Sequence, residues 1–153
     1  MMSRVLAIAL VTAAISMTGA VRAQRPAPQG PTVEVFKSPT CGCCANWVKH
    51  LQANGFATRV MDVEDISDIK AKHNIPAAAQ SCHTATVDGY VIEGHVPAAD
   101  MKRLLKERPS VLGLAVPGMP IGSPGMEVPN VKASPYNVMT FDRRGELKVY
   151  SSH

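Results

Sequence analysis

The chain has 153 residues, 46% of them hydrophobic and 18% charged, which fits one globular domain and argues against a disordered or low-complexity protein. The formal charge is +4, but two of those charges, Arg4 and Arg22, fall in an N-terminal segment expected to be removed. The remaining Lys and Arg are scattered among Asp and Glu, so no basic stripe for nucleic acid is present.

Met1 to Arg4 form a short basic lead before an apolar run from Val5 to Ala20, and Val21-Arg22-Ala23 has small residues at the positions a signal peptidase reads. The run is shorter than the roughly 20 residues that span a bilayer, so residues 1–23 are expected to be a signal peptide rather than an anchor. Secretion places the protein most simply in a bacterial periplasm, with no membrane attachment after cleavage. About 130 residues then remain, enough to bury one core without staples. Residues 24–31 (QRPAPQGP) are polar and Pro-rich and read as a flexible leader, leaving 32–153 as the folded domain.

Thr32 to Phe36 alternates as a strand does. Ser38-Pro39-Thr40 stops it, and a helix is expected from about Gly42, with Cys44, Trp47, Val48 and Leu51 at the i, i+3, i+4, i+7 spacing of a buried stripe. Asn54-Gly55 ends that helix, and Phe56 to Asp62 reads as a second strand. Ile66, Ile69 and His73 suggest a short helix closed by Asn74 and Pro76. Thr84–Val87 and Tyr90–Val96 flank Asp88-Gly89 as a hairpin. Pro97 opens a third helix with Met101, Leu104 and Leu105 inward, and Pro109 stops it. Ser110 to Pro135 holds five prolines and four glycines and reads as a long irregular loop. Tyr136–Phe141 and Glu146–Tyr150 then form a closing hairpin around Asp142-Arg143-Arg144-Gly145.

This α/β order, with Cys41-x-x-Cys44 between the first strand and the first helix, looks like a thioredoxin-like domain. A thiol at a helix start feels the unpaired N–H groups there, which favours its thiolate, and a thiolate serves equally as nucleophile and as metal ligand. A plain dithiol oxidoreductase would use Cys41 as nucleophile and Cys44 as resolving thiol. Two features favour metal instead. Cys43 is interposed, and the loop before the next strand, where thioredoxin-like domains usually carry a cis-proline, reads Gln80-Ser81-Cys82-His83.

Soft thiolates with a neighbouring imidazole suit Cu(I) or zinc. Three sulfurs at one helix start with a fourth from elsewhere is not zinc-knuckle spacing. Adjacent Cys43 and Cys44 should diverge around a helix, so bridging several cuprous ions is expected in preference to one tetrahedral ion. Two structural disulfides are the bland alternative, disfavoured because pairing inside CGCC is expected to be strained. Cys41, Cys43, Cys44 and Cys82 are therefore the primary candidate ligands. His83 is a secondary one, since strand neighbours face opposite sides. His50 lies seven residues, about 10 Å, beyond Cys43 and is expected at the surface. His95 is expected to be structural, and His73 and His153 carry no signal. Met119 and Met126 recur in "PGMP" and "SPGME", and their thioethers suit Cu(I), although methionine also fills irregular gaps.

The stretches "SPTCGCCANWVKHL", "SCHTATVDGYVIEGHVPAADMKRLL" and "GLAVPGMPIGSPGME", in this order, resemble the CopG-type periplasmic copper-resistance proteins, which are unrelated to the DNA-binding repressor of that name. The resemblance implies a thioredoxin-like fold, copper bound through the CGCC thiols and Cys82, and a role in handling excess copper with redox change at the metal. Other periplasmic copper-handling proteins are the implied partners.

Overall fold

The computed structural model describes residues 30–153, so the expected signal peptide and residues 24–29 of the expected leader lie outside the described residues. At the leader's end the Gly30 N–H donates to the Gly55 carbonyl at 3.3 Å. The elements are β1 (Thr32–Lys37), α1 (Gly42–Ala53), β2 (Ala57–Asp62), α2 (Ser67–Lys72), a single 3-10 turn (Ala77–Ala79), β3 (Thr84–Val87), β4 (Tyr90–Glu93), α3 (Ala98–Glu107), β5 (Gly113–Ala115), β6 (Asn137–Phe141) and β7 (Leu147–Ser152). The result is a mixed α/β fold on one seven-stranded sheet ordered β2-β1-β3-β4-β5-β6-β7. β1 runs parallel to β2 and β4 parallel to β5, while every other neighbouring pair is antiparallel.

Strand alternation sorts side chains onto two faces. Val33, Val35, Ala85, Ile92 and Leu114 meet Trp47, Val48 and Leu51 of α1 and Met101 and Leu104 of α3 in the main core. Val91, Ala115 and Phe141 face the other way and pack with Ile75 and Ala79 in a smaller cluster. The expected stripe of α1 is buried as read, at Cys44, Trp47, Val48 and Leu51. In α3, Met101 and Leu104 are buried and Leu105 half-buried. The Asp88-Gly89 turn has positive φ at both residues, +48° and +86°, as a two-residue hairpin requires. Among the described residues no helix is long and apolar enough to cross a membrane.

Four expectations are corrected. The far strand of the hairpin ends at Glu93 rather than Val96, because Gly94 turns left-handed (φ +69°) and takes His95 out of the ladder. The stretch 110–135 is not wholly irregular. β5 lies within it, a three-residue strand held between β4 and β6 and too short to show a period. In α2 the apolar positions Ile66 and Ile69 are only half-buried, and the buried residue is Lys70. Pro97 is the N-cap of α3 rather than its first helical residue.

Gly113 is where β5 meets β4. A Cβ there would collide with the Val91 carbonyl and lie 3.0 Å from the Phe141 ring. Gly113→Ala is therefore expected to cost about 1–3 kcal/mol or more in urea unfolding, as overpacking does. An unchanged urea midpoint would contradict this pairing.

Candidate metal centre

Two chain segments bring the site together. The first is the start of α1, where Cys41 is the N-cap in extended conformation and its sulfur accepts from the Cys44 N–H at 3.3 Å. The second is the loop Gln80–His83, which leads into β3. The four sulfurs of Cys41, Cys43, Cys44 and Cys82 all lie within 4.8 Å of one another. Cys43 Sγ is 3.5 Å from Cys41 Sγ, and Cys82 Sγ is 3.6 Å from Cys44 Sγ.

Cys41 and Cys44 form a disulfide, while Cys43 and Cys82 are free. This corrects the expectation that pairing inside CGCC is strained. With the first cysteine extended at the N-cap and the second one turn into the helix, the Cα atoms stand 5.3 Å apart, inside the ordinary disulfide range. The expected divergence of Cys43 and Cys44 is also corrected, since both sulfurs fall in the same cluster.

The Cys82 loop is pinned from beneath by a buried carboxylate. Glu93, fully buried on β4, accepts from the Ser81 N–H at 2.6 Å and from Thr84 Oγ1 at 2.7 Å, and pairs with Lys70 of α2. Lys70 Nζ also reaches Thr84 Oγ1 at 3.3 Å. Burial pushes the Glu93 carboxyl up, and Lys70 opposes that shift. The inward lysine of α2 is thus the counter-charge that lets Glu93 hold the loop.

The long loop covers the cluster. The Gly118 N–H donates to the Gln80 carbonyl at 3.1 Å, and Ser81 Oγ donates to the Gly118 carbonyl. Further along, a Cβ on Gly125 (φ +88°) would sit 2.7 Å from both the Cys43 carbonyl oxygen and the Trp47 nitrogen, so Pro124-Gly125 lies directly on the first turns of α1. Met119 and Met126 each follow one of these two glycines. Met119 is 53% exposed and Met126 half-buried.

Histidines complete the centre, and not as expected. His95, expected to be structural, places Nε2 3.0 Å from Cys82 Sγ and Nδ1 2.8 Å from the Pro124 carbonyl. A carbonyl can only accept, so the proton sits on Nδ1 and Nε2 offers its lone pair to Cys82. His83 is fully buried against the Trp47 ring, with Nδ1 3.3 Å from Cys82 Sγ and Nε2 without a hydrogen-bond partner. The two residues can face one sulfur because Cys82 and His83 precede β3 and escape strand alternation. Cys82, His83 and His95 form a second close group that shares Cys82 with the first. His50 is not a free surface residue. Its Nε2 accepts from the Ala98 N–H at 3.1 Å at the start of α3. His73 ends α2, and His153 Nε2 lies 2.8 Å from Asp100 Oδ2.

Electrostatics keep the imidazoles neutral and the thiol protonated. Burial, then His95 and Lys70, hold His83 well below its ordinary value, and burial also lowers His95. Burial, followed by the nearby Cys43, pushes Cys82 up to about 12. A soft cation would find neutral imidazoles ready as ligands and would have to displace the Cys82 proton. The orphaned His83 nitrogen, with the four converging sulfurs, fits a bound metal ion.

The fold and site define a mixed-sheet protein with a sulfur-rich, imidazole-flanked cluster of metal-ligating side chains. Two solved structures match closely. One, "Copper resistance protein copG- Form 2", is 42% identical with a TM-score of 0.76 and covers 80% of this chain and 98% of that one. The other, "Copper resistance protein copG- Form 1", is 42% identical with a TM-score of 0.75 and covers 81% and 98%. The chain belongs to the CopG copper-resistance protein family. A family model described as "Protein of unknown function, DUF411" matches residues 79–126, from the Cys82 loop through both loop methionines. No curated protein matches the chain.

The sequence reading missed His95 and the Glu93–Lys70 pair. Gly94 and Pro97 on either side of His95 were the available signal that it sits outside a strand. Removing Glu93 leaves Lys70 buried without its counter-charge and Ser81 without its acceptor. Glu93→Ala is therefore expected to cost about 3–5 kcal/mol in urea unfolding, while Glu93→Gln, which keeps an acceptor, costs less. Equal losses in the two variants would contradict this account.

Proposed function

We infer that the protein is a periplasmic copper-binding protein of copper resistance, whose reduced thiols take up more than one cuprous ion. The observation that carries this reading is the convergence of four sulfurs and two imidazoles in one patch. Six soft or borderline donors exceed the four that a single tetrahedral ion takes, so bridging thiolates between several Cu(I) ions use the set more fully. The copper-resistance names of the relatives support copper over zinc. Cys41, Cys43, Cys44 and Cys82 are the primary ligands, His83 and His95 flank Cys82, and Met119 and Met126 lie on the covering loop.

The thioredoxin-like reading rests on the β2-β1-β3-β4 core with α1 following β1. In this chain the position before β3 carries Cys82-His83, and among the described residues every peptide is trans. The periplasmic assignment rests on the signal peptide expected at residues 1–23. Copper uptake requires reduction of the Cys41–Cys44 disulfide, so thiol oxidation and metal binding compete for the same sulfurs, and redox change at the site follows from that competition. A thiol-disulfide oxidoreductase using Cys41 and Cys44 is the second reading, favoured by the disulfide itself. A single structural zinc ion is the third.

Anaerobic titration of the reduced protein separates them. More than one Cu(I) per chain is expected, and a stoichiometry fixed at one zinc that excess Cu(I) does not displace would overturn the copper reading. Cys43→Ser is expected to weaken Cu(I) binding at least tenfold, about 1.4 kcal/mol, in chelator competition. Disulfide reductase activity kept in that variant with copper affinity unchanged would favour the oxidoreductase. Met119 is too exposed to be core filler, so Met119→Ala should leave the apo melting temperature nearly unchanged and speed copper loss to a chelator. Unaltered copper release would remove Met119 from the site.

A further inference from the structure

Strand alternation puts Lys37 on the same side of β1 as Val33 and Val35, the side that faces the main core, and the residue is only 7% exposed. A charge is costly in a place an apolar side chain would fill, and here its ammonium makes two bonds. Lys37 Nζ donates to Oδ1 of Asp62, its register partner on β2, at 2.6 Å and to the Ser38 carbonyl at 3.1 Å. The same carbonyl accepts the Cys41 N–H at 3.1 Å, closing a tight turn over Ser38–Cys41 in which Pro39 has no N–H to compete. Cys41 is thus held from two directions. Its carbonyl and its sulfur accept from the Ala45 and Cys44 N–H groups inside α1, at 3.2 and 3.3 Å, while its own N–H is anchored to the end of β1 through Ser38 and Lys37. The Asp62 side chain is 54% exposed, so taking Lys37 away strands no buried charge.

We propose that Lys37 is a positioning residue for the thiol site, fixing the Ser38 carbonyl so that Cys41 keeps its N-cap place when the Cys41–Cys44 disulfide is open. In the oxidised chain the disulfide itself holds Cys41 beside Cys44. In the reduced chain that restraint is gone, and the series of bonds Asp62–Lys37–Ser38–Cys41 remains. The reduced thiols then stay close to the arrangement in which they pair, which favours closing the disulfide again. Without Lys37 the reduced form gains freedom while the oxidised form is still held by its own covalent bond, so the balance moves toward the dithiol. Lys37 does for the CGCC segment what Lys70 and Glu93 do for the Cys82 loop. The restraint acts in the metal-free chain and does not rest on the copper reading.

The test is the glutathione equilibrium of the metal-free chain in a Cys43→Ser, Cys82→Ser background, where only the Cys41–Cys44 bond can form. Opening that bond converts two glutathione thiols to one glutathione disulfide, and alkylation after acid quenching counts the free thiols of the intact chain by mass. Lys37→Met keeps the buried stem and removes the ammonium. It is expected to shift the equilibrium about tenfold toward the dithiol, about 30 mV, as loss of a charge-assisted hydrogen bond to the turn would. Asp62→Asn, which leaves Nζ on the Ser38 carbonyl, is expected to shift it less. A change that merely loosened the fold would lower the urea midpoint of both redox forms alike and leave this equilibrium in place. An unmoved equilibrium in Lys37→Met overturns the proposal. So does a shift toward the disulfide, the direction in which a lost cation acts through space by disfavouring thiolate. An equal shift in Asp62→Asn overturns the role given to the Ser38 carbonyl. Hydrogen exchange of the reduced wild-type chain adds a check that needs no variant: the Cys41 amide is expected to be protected, and exchange at the unprotected rate overturns the restraint. No arm uses copper, so failure here and failure of the copper reading are separate results.

Discussion

Everything at this site depends on Cys82 being held against the start of α1, and a buried ion pair does the holding. Glu93 has no exposure, yet its two oxygens serve Ser81, Thr84 and Lys70. Burying one carboxylate and one ammonium is costly, and it is tolerated only because both charges are paired and hydrogen-bonded. The interaction gives position more than stability. It fixes the backbone one residue before Cys82, so that the fourth sulfur meets three others that come from a different part of the chain.

The covering loop works on the opposite side by the same logic. It is long and rich in Pro and Gly, but it is hydrogen-bonded at two points, Gly118 to the Cys82 loop and Pro124 to His95, and at Gly125 it lies close against the backbone of α1. Glycine is needed at 125 because a side chain there would strike the helix. One loop therefore sets the tautomer of a histidine and roofs the thiols, which ties its shape to the chemistry beneath it.

Much of this was legible in the sequence, for identifiable reasons. Trp47, Val48 and Leu51 are buried because helical spacing gave one apolar stripe, and Asp88-Gly89 made a tight turn because its residues accept positive φ. The clustering of Cys82 with the CGCC thiols was also readable, from its place before the third strand. What was not legible arises from pairing across the fold. Lys70 looks like a solvated charge until Glu93 is seen facing it. His95 looks like a strand residue until Gly94 bends the chain. β5 has no period of its own and exists because β4 and β6 flank it. The CGCC disulfide depended on the extended N-cap conformation of Cys41, which spacing alone does not reveal.

The central claim is that the four sulfurs act together on copper. X-ray absorption at the copper edge, on reduced protein loaded anaerobically, tests it most directly. The account predicts cuprous ions in a sulfur-dominated shell with a neighbouring copper scatterer. A shell of nitrogen and oxygen alone, or isolated copper with no second metal nearby, would contradict it.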